Sequence, residues 1–304
     1  MPEVPDAFAA GTGRQVDLAR PPAMLPLYLR AALGAALPRP GGRSDAVPDV
    51  MLRLTGLRPA AADVARYAAV VGQPPTDRLP LLYPSVLGFG LQLAIMTAPS
   101  FPLPALGLLH VANEVTALRP LPLGAELDVA VHAGAVRSHP RGRLVDLITE
   151  VRSDGAVVWT QTSGYLRRER RPVDENPTAA TELSDDAGPQ LHFGACWRLP
   201  GDLGRRYAAV SGDVNPIHLS ALTARPLGFP RAIAHGMWTA AAVVGALEGR
   251  LPEALTYTVR FRRPITLPGT VRLFTAVDGD RVRAEVRGAQ GDDRPHLTAA
   301  VRGL

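Results

Sequence analysis

Two stretches of this chain begin alike: Tyr67-Ala-Ala-Val-Val-Gly72 and Tyr207-Ala-Ala-Val-Ser-Gly212, 140 residues apart. Further along, Arg119-Pro-Leu-Pro-Leu-Gly124 resembles Arg263-Pro-Ile-Thr-Leu-Pro-Gly269, 144 residues apart. Two similar short segments in the same order at nearly the same offset point to a duplicated unit of about half the chain. The sequence therefore reads as residues 1–167, with an N-terminal extension over 1–45, then a linker over 168–190, then 191–304. The linker, RERRPVDENPTAATELSDDAGPQ, is polar, carries prolines and has no apolar period.

Both halves show one order of elements. A tyrosine-alanine segment ending at glycine comes first, then a loop. An apolar helix follows, predicted over 86–98 and 237–247. Strand-like runs come last, over 108–115, 126–133, 144–151 and 157–165 in the first half and over 255–261, 271–277, 282–286 and 297–301 in the second. The helices are apolar all round, as helices enclosed by a sheet are. The expected fold is α+β: in each half an antiparallel meander wraps a central helix, and the halves pair edge to edge. Within the extension, PLYLRAALGAAL reads as a further short helix.

The bulk numbers narrow the function. All 33 basic residues are arginine, the net charge is +5, and no dense basic run is interleaved with aromatics, so a nucleic-acid partner is not expected. The stretch Met237–Leu247 is too short to span a bilayer. The N-terminus lacks the basic start and apolar core of a signal peptide. The lone Cys196 permits no internal disulfide; a cytoplasmic protein with a buried structural cysteine is expected. The histidines show no metal-ligand spacing, and neither a lysine-bearing phosphate loop nor a G-x-S-x-G elbow is present, so no metal is expected.

One segment is dense in polar groups: Tyr207 to His218, YAAVSGDVNPIH. Gly212 and Pro216 break it as a helix, so Asp213 and His218 can converge in a turn and move a proton at each end of an elimination. Aligned by count on the shared Tyr and Gly, Gln73 stands for Asp213 and Arg78 for His218, so the first copy lacks the pair. A second motif, Ile233-Ala-His-Gly-Met237, opens the second apolar helix. Its free N–H groups, with Gly236 allowing close approach, suit a thioester oxygen gaining enolate character. Ser211, Asn215 and His235 are expected to support the pair. Arg260 and Arg262, sharing a strand face, and Arg263 are candidates for meeting phosphates.

YAAVSGDVNPIH, then Pro226-Leu-Gly-Phe229, then Ile233-Ala-His-Gly-Met237 resembles the signature of the MaoC-like, (R)-specific enoyl-CoA hydratase 2 family. The duplication, with PTDRLPLLYPSVLGFGLQLAIM in the first half, is similar to the double hot-dog members of that family. The resemblance implies a non-catalytic first unit and a lyase of fatty-acid metabolism that reversibly dehydrates (3R)-hydroxyacyl thioesters to trans-2-enoyl thioesters without a cofactor. It implies acyl-CoA or acyl carrier protein thioesters as partners, and a homodimer of pseudo-dimers fits it. A hot-dog thioesterase and a non-catalytic acyl-binding subunit are the alternatives. Finally, Gly88 and Gly90 in the first apolar helix are read as opening a gap for a longer acyl chain.

Overall fold

The computed structural model describes residues 14–36, 45–169 and 190–304; most of the expected linker lies outside them. Eleven strands run in chain order: β1 Arg14–Leu18, β2 Val50–Leu57, β3 Leu108–Ala117, β4 Leu127–His139, β5 Gly142–Ser153, β6 Ala156–Arg168, β7 His192–Leu199, β8 Leu255–Phe261, β9 Gly269–Asp278, β10 Arg281–Arg287 and β11 Pro295–Gly303. The helices are α1 Met24–Ala36, α2 Ala61–Val71, α3 Tyr83–Met96, α4 Leu203–Ser211, α5 Pro216–Leu219, α6 Ala221–Ala224 and α7 Gly236–Ala246. Both central helices and all eight expected strands are present. The helix read in PLYLRAALGAAL is α1. The sequence does not announce three strands: β1 within the extension, and β2 and β7, each ahead of a tyrosine-alanine helix; β7 hides because HFGACWRL is largely exposed and lacks apolar alternation.

The residues gather into two compact units that do not follow the sequence halves. The first takes the described residues of Met1–Leu57, Leu87–Val111 and Glu126–Asp186; the second those of Arg58–Val86, Ala112–Ala125 and Ala187–Leu304. The second unit therefore takes α2 and most of β3 from the first half.

In the first unit the strand order is β1-β2-β4-β5-β6, with β1 parallel to β2 and the remaining neighbours antiparallel. Residues Leu91–Ala98, the end of α3 and the turn after it, are buried throughout. The expected gap at the two glycines is absent. A Cβ on Gly88 would come to 2.8 Å from the Thr149 methyl, and one on Gly90 to 3.6 Å from Pro22 Cδ. Gly88 is where α3 packs closely on β5, which leaves no room for an acyl chain at that point.

In the second unit the order is β3-β8-β11-β10-β9-β7, antiparallel throughout. It is not a simple meander: β9, β10 and β11 follow one another, but β8 lies beside β11. Pairing of Ala112–Ala117 with Leu255–Arg260 joins strands from the two sequence halves. Trp238–Val244 of α7 are all buried, as expected of a wrapped helix, and Tyr257 Oη donates to the Ala240 carbonyl at 3.0 Å. Cys196 is exposed, contrary to expectation. It lies on β7, which ends the strand order and pairs only with β9, so one face of its alternation meets solvent.

The duplication is visible within this unit. Helices α2 and α4 end at Gly72 and Gly212, each at φ 73°, and each glycine N–H donates to a carbonyl four residues back. That left-handed cap is why glycine stands at both places. Later, Leu79 N–H donates to Leu121 O as Ala234 N–H does to Ile265 O, and Leu123 N–H to Asp77 O as Leu267 N–H does to Ala232 O. Across these bonds the offset from residues 77–79 to 232–234 is 155, against 140 at the helices. The second copy thus carries 15 extra residues, the stretch that forms α5 and α6. Counting along the chain placed Arg78 opposite His218; in space its counterpart is Ile233, since Arg78 bridges Pro122 as Ile233 bridges Thr266. His218 has no counterpart in the first half.

Candidate active site

Asp213 follows the left-handed cap of α4, so its side chain leaves the helix axis. The turn is held from both sides. Ser211 Oγ donates to the Tyr207 carbonyl at 2.8 Å and accepts from Asp213 N–H at 3.2 Å. Asp213 Oδ1 accepts from Asn215 N–H at 3.2 Å, and Asn215 Oδ1 caps α5 by accepting from Ile217 N–H at 3.3 Å. Ser211 and Asn215, expected to orient the pair, order the backbone of this turn through these hydrogen bonds.

Pro216 opens α5, where a missing N–H is harmless, and the single turn carries His218 inward. His218 is 8% exposed, and its Nδ1 lies 2.8 Å from the Ile233 carbonyl. A carbonyl only accepts, so Nδ1 bears the proton and Nε2 keeps its lone pair. Burial, with His235 alongside, lowers the His218 pKa to about 3, against the opposing pull of Asp213. The ring is therefore neutral at neutral pH.

His235 stacks on His218 with centroids 3.7 Å apart and planes at 26°. Its Nε2 lies 2.9 Å from the Asp213 carbonyl and 3.8 Å from Oδ2, so Nε2–H donates to Asp213. Burial lowers its pKa too. One nitrogen of each ring and one carboxylate oxygen of Asp213 lie within 4.8 Å of one another. Such a cluster is of a kind that can hold a metal, because a ligating histidine commonly donates its other N–H as His218 does here; the same groups can also move a proton.

Gly236 is the first residue of α7, whose opening N–H groups have no intrahelical acceptor. A Cβ there would come to 2.8 Å from the Phe261 ring. Phe261 and Tyr207, whose ring lies 4.8 Å from His235, are neighbours of the site that sequence reasoning missed. Nothing in the pattern of the chain marks Phe261, and Tyr207 is repeated as Tyr67 in the copy that lacks the pair, so the sequence does not mark it either.

The arginines fare differently. Arg260 is half-buried in β8, which lies between β3 and β11 and is not an edge. Arg262 is exposed and falls one residue beyond β8, its N–H still donating to the His296 carbonyl of β11 at 2.9 Å. Arg263 forks onto the Asp292 carboxylate at 3.0–3.1 Å and bonds the Pro295 and Arg294 carbonyls. It ties down the turn before β11.

Residues 196–294 match the MaoC like domain family. Over 283 residues the chain is 39% identical to 3-hydroxyacyl-thioester dehydratase X of Mycobacterium tuberculosis, covering 93% of this chain and 99% of that protein. It is 27% identical to the enoyl-CoA hydratase ChsH3 of the same organism, covering 86% and 93%. The crystal structure of HtdX from M. tuberculosis superposes with a TM-score of 0.72 at 37% identity, covering 84% of this chain and all of that one.

Proposed function

This chain belongs to the MaoC-like dehydratase family, with a double hot-dog fold, and from that premise we propose how its site works. It is a hydro-lyase of fatty-acid metabolism that interconverts 3-hydroxyacyl and enoyl thioesters. The observation that carries the mechanistic reading is the convergence of Asp213, His218 and His235 beside the first turn of a buried apolar helix.

In the dehydration direction the thioester oxygen sits at the N-terminus of α7, near Gly236 N–H, where donors and helix dipole favour the charge of an enolate. The neutral His218 Nε2 accepts the α-proton. Asp213 faces the 3-hydroxyl, and the proton, passed within the pair, leaves on the departing water. The C–H and C–O bonds break, the C=C bond forms, and the pair ends as it began. Hydration runs the same steps backwards. His235 keeps Asp213 in place through its carbonyl. With both groups on one loop, syn geometry is expected, and the (3R) hydroxyl is what the resemblance to the family implies. The acyl group arrives on CoA or acyl carrier protein; Arg262, exposed beside Phe261, and the half-buried Arg260 are the phosphate candidates.

Incubation with crotonyl-CoA, following enoyl absorbance and free thiol together, tests the reading. Loss of absorbance without thiol release is expected. Thiol release would mean a thioesterase, and neither signal across a series of chain lengths would leave only acyl binding.

A further inference from the structure

Helices α2 and α4 are copies, and their buried faces coincide in register. Val64, Tyr67, Ala68 and Val71 are buried in α2; Gly204, Tyr207, Ala208 and Ser211 are buried at the matching places in α4, where Leu203 is buried as well. Tyr and Ala are retained. The two matched places that change are 64/204 and 71/211, and both changes serve the loop that the second copy alone possesses. Ser211 replaces Val71 and takes the Asp213 N–H. Gly204 replaces Val64.

Gly204 is not there for its backbone, since its φ is outside the left-handed region, and glycine is a poor choice within a helix. It is there for space. A Cβ on residue 204 would overlap the His218 carbonyl oxygen and stand 2.9 Å from the carbonyl carbon and 3.4 Å from the His218 Cβ. These are backbone atoms of a turn held by His218 N–H donating to Asn215 O, by Ile233 N–H donating to Ile217 O, and by Arg205 reaching the Leu219 carbonyl at 3.0 Å. They cannot swing aside as the end of a flexible side chain can. The only relief for an added methyl is for α5 to move, carrying the imidazole with it.

We propose that Gly204 is a positioning residue: the missing side chain lets α5 seat against α4 and so sets where His218 stands relative to Asp213. The proposal rests on reading His218 as the acid–base group.

The test is a double-mutant cycle on the full chain with crotonyl-CoA: Gly204→Ala, His218→Asn and both together, with Ala209→Gly, on the exposed side of α4, as a control for helix weakening. Gly204→Ala should lower kcat by about 10²-fold with little change in KM, the size of effect expected when a reacting group is displaced by about an ångström. Gly204→Val, which restores the residue of the first copy, should be worse, and Ala209→Gly should keep normal turnover. In the His218→Asn background Gly204→Ala should cost nothing further. Retention of kcat in a folded Gly204→Ala protein, or full additivity of the two losses, would overturn the proposal. If His218→Asn itself kept near-normal turnover, the reading of the site would fail instead.

Discussion

Asparagine at position 213 keeps an oxygen for the Asn215 N–H, and asparagine at 218 keeps a donor for the Ile233 carbonyl. Both variants should therefore fold. Neither can exchange a proton, so kcat should fall by about 10²–10⁴ in each, the range for loss of a general acid or base. Steady-state rates beside thermal melts check this, and near-normal turnover in either variant would remove that residue from the chemistry. Gly236→Ala retains the N–H but drives a methyl into the Phe261 ring. It should depress kcat/KM, and adding Phe261→Leu should recover part of the loss; no recovery would place the defect elsewhere than in that ring. At this scale much was legible. Asp213 and His218 stand in a motif whose residue types name the chemistry, and Gly212 and Pro216 say that the chain turns there. The stacking of His235 on His218 and the wall made by Phe261 were not legible, because they join residues brought together only by the fold.

At the scale of elements, the repeat was legible as far as local sequence reaches. Tyr67 and Tyr207, Gly72 and Gly212 mark equivalent helices and caps. Beyond the caps, counting fails, because 15 extra residues enter the second copy and no turn signal announces them as an insertion. That is why Arg78 was set against His218. The real difference between the copies is a whole loop, with α5 and α6, added to a helix whose buried face was adjusted at Gly204 and Ser211. Gln73 shows what the first copy does instead. It follows its cap as Asp213 does, but its Nε2 donates to the Ala241 carbonyl of α7 at 2.9 Å in a buried setting. Gln73→Ala should then cost about 0.5–1.5 kcal/mol of stability through the lost hydrogen bond, since the Ala241 carbonyl keeps its helical partner, while kcat stays near normal. Denaturant melts and rates on one preparation separate the two; a deep loss of kcat at unchanged stability would mean that α2 takes part in the chemistry. Arg78→Ala, which removes only an exposed pair with Glu253, should alter neither by much.

For the whole molecule, the proposed catalytic arrangement leaves a mark on stability that needs no substrate to observe. His218 and His235 are buried and neutral, and burial is the largest cause holding each below its ordinary value. Above about pH 6.5 the imidazoles are neutral in folded and unfolded chains alike, so pH has no effect through them. Below it the unfolded chain takes up protons that the folded chain refuses, so stability falls as pH falls. For His218 the loss runs at about 1.4 kcal/mol per pH unit, and His235 adds to it in the same direction. For His218 the window extends down to its folded value of about 3. Urea midpoints at pH 7 and pH 5 measure the effect in a range where most carboxylates remain ionised. The wild-type chain should be the less stable at pH 5. His218→Asn removes one of the two groups and should shrink the difference by about 2 kcal/mol over that interval, whatever it does to stability at pH 7. If the variant lost as much stability between the two pH values as the wild type, His218 would not be held neutral by burial. The neutral base on which the dehydration step depends would then be lost as well.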